Sequence, residues 1–198
     1  MATQKKERKS LFTPIGRAAF CHLFEPHAIE EGKPKMYSIT LAFDAEKTKE
    51  LRELKLACFK AGSEKFGKTV DELKVLHKKG KFHFPWRPNS DYDEYGEPFN
   101  DDGQFISLRS KDQPQVVDKR AKPIIKASEV YSGMYARATY AVWPFDNNGK
   151  KGVTLLLNNV QKASEGERLA GRPDAEDEFE AVEGGDEADD DNDDDADV

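Results

Sequence analysis

Fifteen consecutive residues, Glu129 to Trp143, run Glu-Val-Tyr-Ser-Gly-Met-Tyr-Ala-Arg-Ala-Thr-Tyr-Ala-Val-Trp, with no proline until Pro144. Aromatic and β-branched residues are frequent, so the run is predicted to form one long strand. Alternate side chains of a strand point to opposite faces. Met134, Ala136, Ala138, Tyr140 and Val142 fall on one side and suit a core. Tyr135, Arg137, Thr139 and Trp143 fall on the other. That second face sets a cation between aromatic rings, an arrangement that suits stacked bases and a phosphate chain. An ordinary sheet with an exposed arginine and two edge aromatics would give the same pattern, so the rest of the chain must decide.

A strand of this length needs partners, and the chain offers them. Phe12 to Phe24 is a first strand, with Gly16 allowing a bend or bulge. Ile15, Ala19, Cys21 and Leu23 are expected on one face, Phe20, His22 and Phe24 on the other. Lys35 to Phe43 is a second strand, with Tyr37, Ile39, Leu41 and Phe43 inward. Asp44 then caps a helix of about twenty residues, with Leu51, Leu54, Cys58 and Ala61 as its apolar stripe. Thr69-Val-Asp-Glu72 is a capping box that opens a shorter helix. Lys78, Lys79 and Lys81 crowd its end, where cations suit the helix dipole as well as a phosphate.

Residues 82–105 are broken by prolines at 85, 88 and 98, yet carry Phe82, Phe84, Trp86, Tyr92, Tyr95, Phe99 and Phe105. Disordered linkers are poor in aromatics, so this segment is expected to be ordered and packed or ligand-facing. Six acids between Asp91 and Asp102 place 91–102 as a turn projecting away from any polyanion. Gln104 to Lys111 is a third strand, with Ile106 and Leu108 inward and Phe105, Ser107, Arg109 and Lys111 outward. Val116 and Val117 suggest a short strand before a basic turn, Asp118-Lys-Arg-Ala-Lys-Pro123. Asp146-Asn-Asn-Gly149 is a hairpin turn, and Val153 to Gln161 the returning strand.

Charge is divided along the chain. Residues 174–198 hold fifteen of the 38 acids and none of the 31 Lys and Arg. Residues 1–173 therefore carry 23 acids against 31 bases, a surplus of eight positive charges within a chain of net charge −7. Such asymmetry points to nucleic acid or another polyanion, and to a tail that contests the same surface. The chain divides into a disordered basic arm (1–9), a body (10–163) with a helical insertion at about 44–80, a linker (164–173) and a disordered acidic tail (174–198). No apolar run is long enough to span a membrane, and the charged start lacks the hydrophobic segment of a secretory signal. Cys21 and Cys58 have no metal-ligand spacing and suit buried, reduced thiols. A reducing cytosol is the expected setting.

Catalytic signatures are absent: no glycine-rich phosphate loop, no nucleophile elbow and no zinc spacing. No cofactor or metal is expected. Asp91 to Asp102 echoes a calcium loop, but Tyr95 and Pro98 sit badly in it and the closing Glu is missing. A metal-dependent nuclease or resolvase would need converging carboxylates, for which Asp91, Asp93 and Asp118 are the nominal candidates. An acidic-tail chaperone for basic proteins is a third class.

The expected fold is all-β with inserted helices, an OB-type Greek-key barrel plus the acidic tail. The proposed binding face is Phe20, Tyr37, Phe82, Trp86, Phe105, Tyr135 and Trp143, with Arg17, Lys35, Arg87, Arg109, Lys111, Lys122 and Arg137 for phosphates. Tyr37 is included against its strand parity. Nothing in this set reads base sequence.

Pro114-Gln-Val-Val-Asp118, Glu129 to Ala138, Gly149-Lys-Lys-Gly-Val153, Leu157-Asn-Asn-Val-Gln161 and Arg172-Pro-Asp-Ala-Glu-Asp-Glu-Phe179 resemble a family of tailed-bacteriophage single-stranded DNA-binding proteins. The likeness covers about 10–179 and is most specific from 114 to 179. It implies an OB fold, non-specific binding of single strands, and a role in phage replication, recombination or repair inside the host. By its motif it implicates Tyr131, Tyr135 and Arg137. Duplex DNA would be a weaker partner, and replication or recombination proteins would be met through the tail, with Phe179 as its aromatic anchor. Bacterial single-strand binders usually end in an acidic run capped by Phe, whereas this chain ends Asp-Ala-Asp-Val198.

Overall fold

The structure is a computed structural model that describes residues 11–28 and 30–169. Its strands are β1 (Leu11–Phe12), β2 (Gly16–His27), β3 (Met36–Phe43), β4 (Trp86–Pro88), β5 (Gln104–Ser110), β6 (Gln115–Val117), β7 (Tyr135–Asn147) and β8 (Lys150–Ser164). A 3-10 turn, Lys47–Leu51, leads into α1 (Arg52–Phe66), and α2 (Val70–Lys78) follows. The molecule is mostly β-sheet with a few helices.

Five strands hydrogen-bond in a ring. β7 pairs with β2, β2 with β3, β3 with β5, β5 with β8, and β8 returns to β7. All these pairings are antiparallel except β5 with β8. β1 extends the β2 edge onto β7, β4 adds to β5, and β6 lies parallel to β8.

Alternation fills the ring. Ile39, Leu41, Phe43, Ile106, Leu108, Met134, Ala136, Ala138, Leu155 and Leu157 are all buried inside one cluster. Leu51, Leu54, Cys58 and Leu73 of the helical insertion close it from one side. Burial pushes both thiols, Cys21 and Cys58, up to about 12.

Local chemistry places the elements. The Asp44 carboxylate accepts the Lys47 N–H at 2.7 Å and starts the 3-10 turn. The capping box forms as the sequence implies: Thr69 Oγ1 accepts the Glu72 N–H and the Glu72 carboxylate accepts that of Thr69. The β7–β8 turn puts Asn148 and Gly149 at φ 50° and 85°, the left-handed pair that a tight hairpin uses.

Three strand expectations are corrected. The 129–143 strand begins at Tyr135, because Ala127–Glu129 is a 3-10 turn, and it continues through Pro144 to Asn147. The first strand divides into β1 and β2. Its irregularity falls at Phe20 rather than Gly16: Phe20 has φ 49°, and the β2–β3 register shifts between Ala19 and His22. One extra residue reverses parity downstream. Ala18 and Leu23 therefore face the core with Cys21 packed against it, while Ala19 joins a separate outer cluster.

The largest correction concerns 91–102. This segment does not project away. It folds back over the outside of the sheet and forms a second buried cluster, in which Phe99 and Phe105 join Ala19 and Ala42, with Tyr92 packed on top. Asn89, fully buried, pins the loop. Its amide donates to the Phe43 and Pro98 carbonyls at 3.3 Å and to the Asp101 carboxylate at 2.6 Å.

Candidate nucleic-acid interface

Strand register assembles one continuous surface on the outside of the ring. Tyr135 lies opposite Arg17, Arg17 opposite Ala42, Ala42 opposite Phe105, and Phe105 opposite Arg87. This row crosses β7, β2, β3, β5 and β4. Two residues along, Ala19, Thr40 and Ser107 form a second row, with Thr40 and Ser107 hydroxyls 3.2 Å apart. A third row is His22, Ser38 and Arg109. Rows repeat about every 7 Å along a strand. These rows carry small side chains with guanidinium groups at their margins; Ala19, Ala42 and Thr40 are buried, and Ser38 and Ser107 form the open part of the floor.

Rings stand along one margin. Phe20, turned outward by its bulge, meets Tyr92 and Tyr95 at 5.6 Å and Phe99 at 6.1 Å between ring centroids. Tyr95 is 56% exposed and Phe20 36%. Arg87 lies 5.1 Å from the Phe105 ring and 5.3 Å from that of Tyr92, donates to the Tyr92 hydroxyl, and pairs with Asp91 at 3.6 Å. At the other margin Arg17 and Lys47 lie 5.1 and 5.7 Å from the Tyr135 ring, and Arg17 donates to the Tyr135 hydroxyl at 3.1 Å. Asp44, Glu97 and Asp101 share that narrow cleft, so its cations face acids as well as a ring.

The far end of the floor is more open. A cleft of about 430 Å³ there is lined by His27, Glu30, Lys33, Pro34, Met36, Ser38 and Arg109. His22 and His27 stack beside it at 4.5 Å and 14°. Burial, and then the neighbouring His27, hold His22 below its ordinary value. Partial burial pulls Arg109 down, with Arg87 adding to it, though an arginine stays cationic.

The structure therefore sorts the sequence-derived residues. It brings together Arg17, Phe20, Arg87, Arg109 and Tyr135. Phe82 and Trp86 are corrected: they are 2% and 9% exposed and belong to the main core, where Trp86 stacks on Phe84 at 4.5 Å. Parity could not reveal that helices cover that side of them. Phe105 does face outward like Arg109, but Tyr92 and Phe99 cover it, leaving 1% exposed. Tyr37 shares parity with the core residues Ile39 and Leu41 and is half-buried off the floor.

Other residues are set apart. Arg137 donates to Gln161 at 2.8 Å and lies 5.3 Å from the Phe12 ring; Gln161 in turn bonds the Asp118 carbonyl in the turn that carries exposed Lys122. Trp143, 57% exposed, is eight residues from Tyr135 along β7, about 27 Å. Lys35 and Lys111 are exposed at the ends of β3 and β5. Tyr131 is occupied by the segment after β8: its hydroxyl bonds the Glu165 carboxylate at 2.6 Å and the Gly166 carbonyl at 3.0 Å. Phe179 lies outside the described residues.

That segment reaches the face itself. Arg17 donates to the Glu167 carbonyl at 2.9 Å, the Leu169 N–H bonds the Ser132 carbonyl at 2.9 Å, and Leu169 packs against the outer cluster of Ala19, Ala42, Phe99 and Phe105. Sequence reasoning missed Tyr92, Tyr95, Phe99, Lys47 and Leu169 as members of this surface. The alternation of Tyr and Phe with acids in 91–102 was the available signal; its acids drew attention instead.

The nominal nuclease carboxylates do not converge. Asp91 pairs with Arg87, and Asp118 accepts the Arg120 and Lys122 N–H groups of its own turn. Among the described residues no three His, Cys, Asp or Glu side chains are grouped to hold a metal ion. Nor is any helix among them long and apolar enough to cross a membrane.

Known proteins share this fold. The structure of the single-stranded DNA-binding protein of bacteriophage Enc34, in complex with single-stranded DNA, superposes with a TM-score of 0.60 at 20% identity, over 81% of this chain and 89% of that one. The single-stranded DNA-binding protein gp2.5 of bacteriophage T7 gives 0.58 at 17% identity, over 87% and 95%. The putative protein p50 of Acyrthosiphon pisum secondary endosymbiont phage 1 is 27% identical over 159 residues, 78% of this chain and 83% of its own length. Residues 10–195 match the family described as Enterobacter phage Enc34, ssDNA-binding protein, and the chain belongs to that family of phage binding proteins.

Proposed function

We propose that this protein binds single-stranded DNA without sequence preference along the outer face of β2, β3 and β5. The observation that carries the reading is the strip left open at Ser38 and Ser107, with the exposed rings of Phe20 and Tyr95 and the guanidinium of Arg109 at its margins. Backbone sugars and phosphates need close approach, which the small, half-buried Ser38 and Ser107 allow. Phe20, Tyr95 and Tyr135 offer rings to bases, each worth about 1–3 kcal/mol. Arg17 and Arg109, with Lys33 and Lys35 in the loop before β3, neutralise phosphates. We read the five-stranded ring as an OB-type barrel; its order, with one parallel pair, and the position of the floor on its second and third strands support this.

The acidic tail contests this face. Support comes from residues 165–169, the last described part of the chain before the tail, of which Glu167 bonds Arg17 and Leu169 packs on the outer cluster. Tethering gives such a segment an effective concentration in the millimolar range. Binding and protection of strands during phage DNA replication, recombination or repair in the host cytoplasm is the corresponding role.

The test is fluorescence anisotropy with a labelled oligo-dT in moderate salt, with single-stranded and duplex probes compared. Saturable binding to the single strand, lost in a Tyr95→Ala/Arg109→Ala double variant, is expected. No binding by the folded wild-type chain would reject the reading. Removing 174–198 should tighten binding chiefly at low salt, where the Debye length is long; equal or weaker binding at every ionic strength would remove the tail from the account.

A further inference from the structure

The helical insertion carries a second surface that the DNA face does not use. Phe59 of α1 stands edge-on to Phe84 at 5.0 Å and Trp86 at 5.6 Å. Two clefts meet at its ring. One, about 550 Å³, runs along α1 past Lys49, Arg52, Lys55 and Leu56. The other, about 350 Å³, lies between Phe59, Phe84, Trp86 and α2, and is lined by Lys74, Val75 and Lys78. Leu56 and Val75 are 56% and 49% exposed, large aliphatic side chains left open beside the half-buried Phe59 and the buried Phe84 and Trp86. Lys74 lies 5.6 Å from the Phe59 ring and Lys55 5.6 Å from that of Trp86. Among the described residues Asp71 is the one acid lining either cleft, and it pairs with Lys74 at 3.5 Å.

An apolar trough with five cations on its rim selects an acidic segment that carries one apolar anchor. Bases are a poorer match: Phe84 and Trp86 are 6% and 9% exposed and offer no free ring face, and the open apolar surface is aliphatic. We propose that residues 174–180 of this same chain, Asp-Ala-Glu-Asp-Glu-Phe-Glu, dock in this trough with Phe179 between Leu56 and Val75. Five carboxylates flank that ring, against the rim of Lys49, Arg52, Lys55, Lys74 and Lys78.

The reach is sufficient. Leu169 packs beside Phe105, and Phe105 and Ile106 pair with Arg87 and Trp86 across β5 and β4. Leu169 lies on the outer face of this pair and Trp86 on its core face, so the chain would pass around β4 to reach the trough. Ten residues separate Leu169 from Phe179, up to about 33 Å of extended chain.

The test uses the full chain with labelled Leu, Val and Ala methyl groups, without DNA, comparing wild type with Phe179→Ala by NMR. Shift differences at Leu56, Val75 and the Trp86 indole, unchanged on dilution, are expected. A Leu56→Glu/Val75→Glu variant, altered only at exposed positions, should lose the difference at the Trp86 indole, read on protein also labelled with nitrogen-15, while keeping its core spectrum. Differences confined to Ala19 and Ala42, differences that vanish on dilution, or none at all would overturn the assignment. Because no DNA is present, failure here leaves the DNA-binding reading standing, and failure of DNA binding leaves this one untouched.

Discussion

Two aromatic clusters flank the same stretch of sheet, and they have opposite fates. Phe59, Phe82, Phe84 and Trp86 pack ring on ring beside the helices, Phe59 edge-on and Trp86 stacked on Phe84, and continue the core. Phe20, Tyr92, Tyr95, Phe99 and Phe105 pack at similar distances on the outer face, but Arg87 lies on two of those rings and Tyr95 and Phe20 stay open. Ring spacing does not separate them. What does is company: helices with an apolar stripe seal the first, while a proline-broken acidic loop and strand-borne cations frame the second. Aromatic content in a sequence therefore says that a segment is ordered, and the neighbours decide whether it is core or contact.

The sharpest contrast should come from truncating one ring on each side. Phe84→Ala is expected to cost about 3–5 kcal/mol of stability in a denaturant titration, through a cavity in the main core, with DNA affinity of the folded fraction unchanged. Tyr95→Ala should do the reverse. Its stability should stay within about 0.5 kcal/mol of wild type, while affinity for oligo-dT falls by about 1–3 kcal/mol. If both variants lost stability alone, the outer cluster would be a second core and nothing more.

A smaller effect distinguishes charge from stacking. Arg109→Ala should flatten the log–log salt dependence of single-strand binding by about 0.7, whereas Tyr95→Ala should leave that slope in place. The least effect expected is on pH. Burial lowers His22, so the folded state releases its proton more readily than the unfolded chain. Its contribution to stability is therefore complete above about pH 6.5 and is lost as pH falls through and below that value. A phosphate placed beside His22, Ser38 and Arg109 favours the imidazolium instead, so DNA affinity should rise as pH drops from neutral, and His22→Gln should remove that rise. A pH-independent affinity in wild type would place the phosphate chain away from the third row.

Much of this was legible along the chain. The capping box at Thr69, the Asp146–Gly149 turn and the inward set Ile39, Leu41 and Phe43 depend on local rules, and local rules carried them. The cationic face was legible in the parity of Arg109 and Tyr135. What was hidden came from elements far apart in sequence. The bulge at Phe20 is a single-residue event that sets Ala19 on the opposite face from Cys21 and Leu23, and β2 shifts register again before His27. Phe82 and Trp86 read as outward because nothing local says that α1 and α2 lie over them. The acids of 91–102 suggested repulsion from DNA, whereas Asn89 and the buried Phe99 tie that loop down regardless of its charge.

Gly133 and Gly166 cross at close quarters: Gly133 has φ 118°, and a Cβ on either would run into the backbone of the other segment. The strand leaving β8 is thereby clamped where it meets the sheet, and its heading is set by the crossing rather than by the residues downstream. Lengthening or swapping the chain beyond Leu169 would leave the doorway it departs from unchanged. A fluorophore or enzyme fused to that terminus would consequently be launched from the mouth of the groove, beside any strand held there.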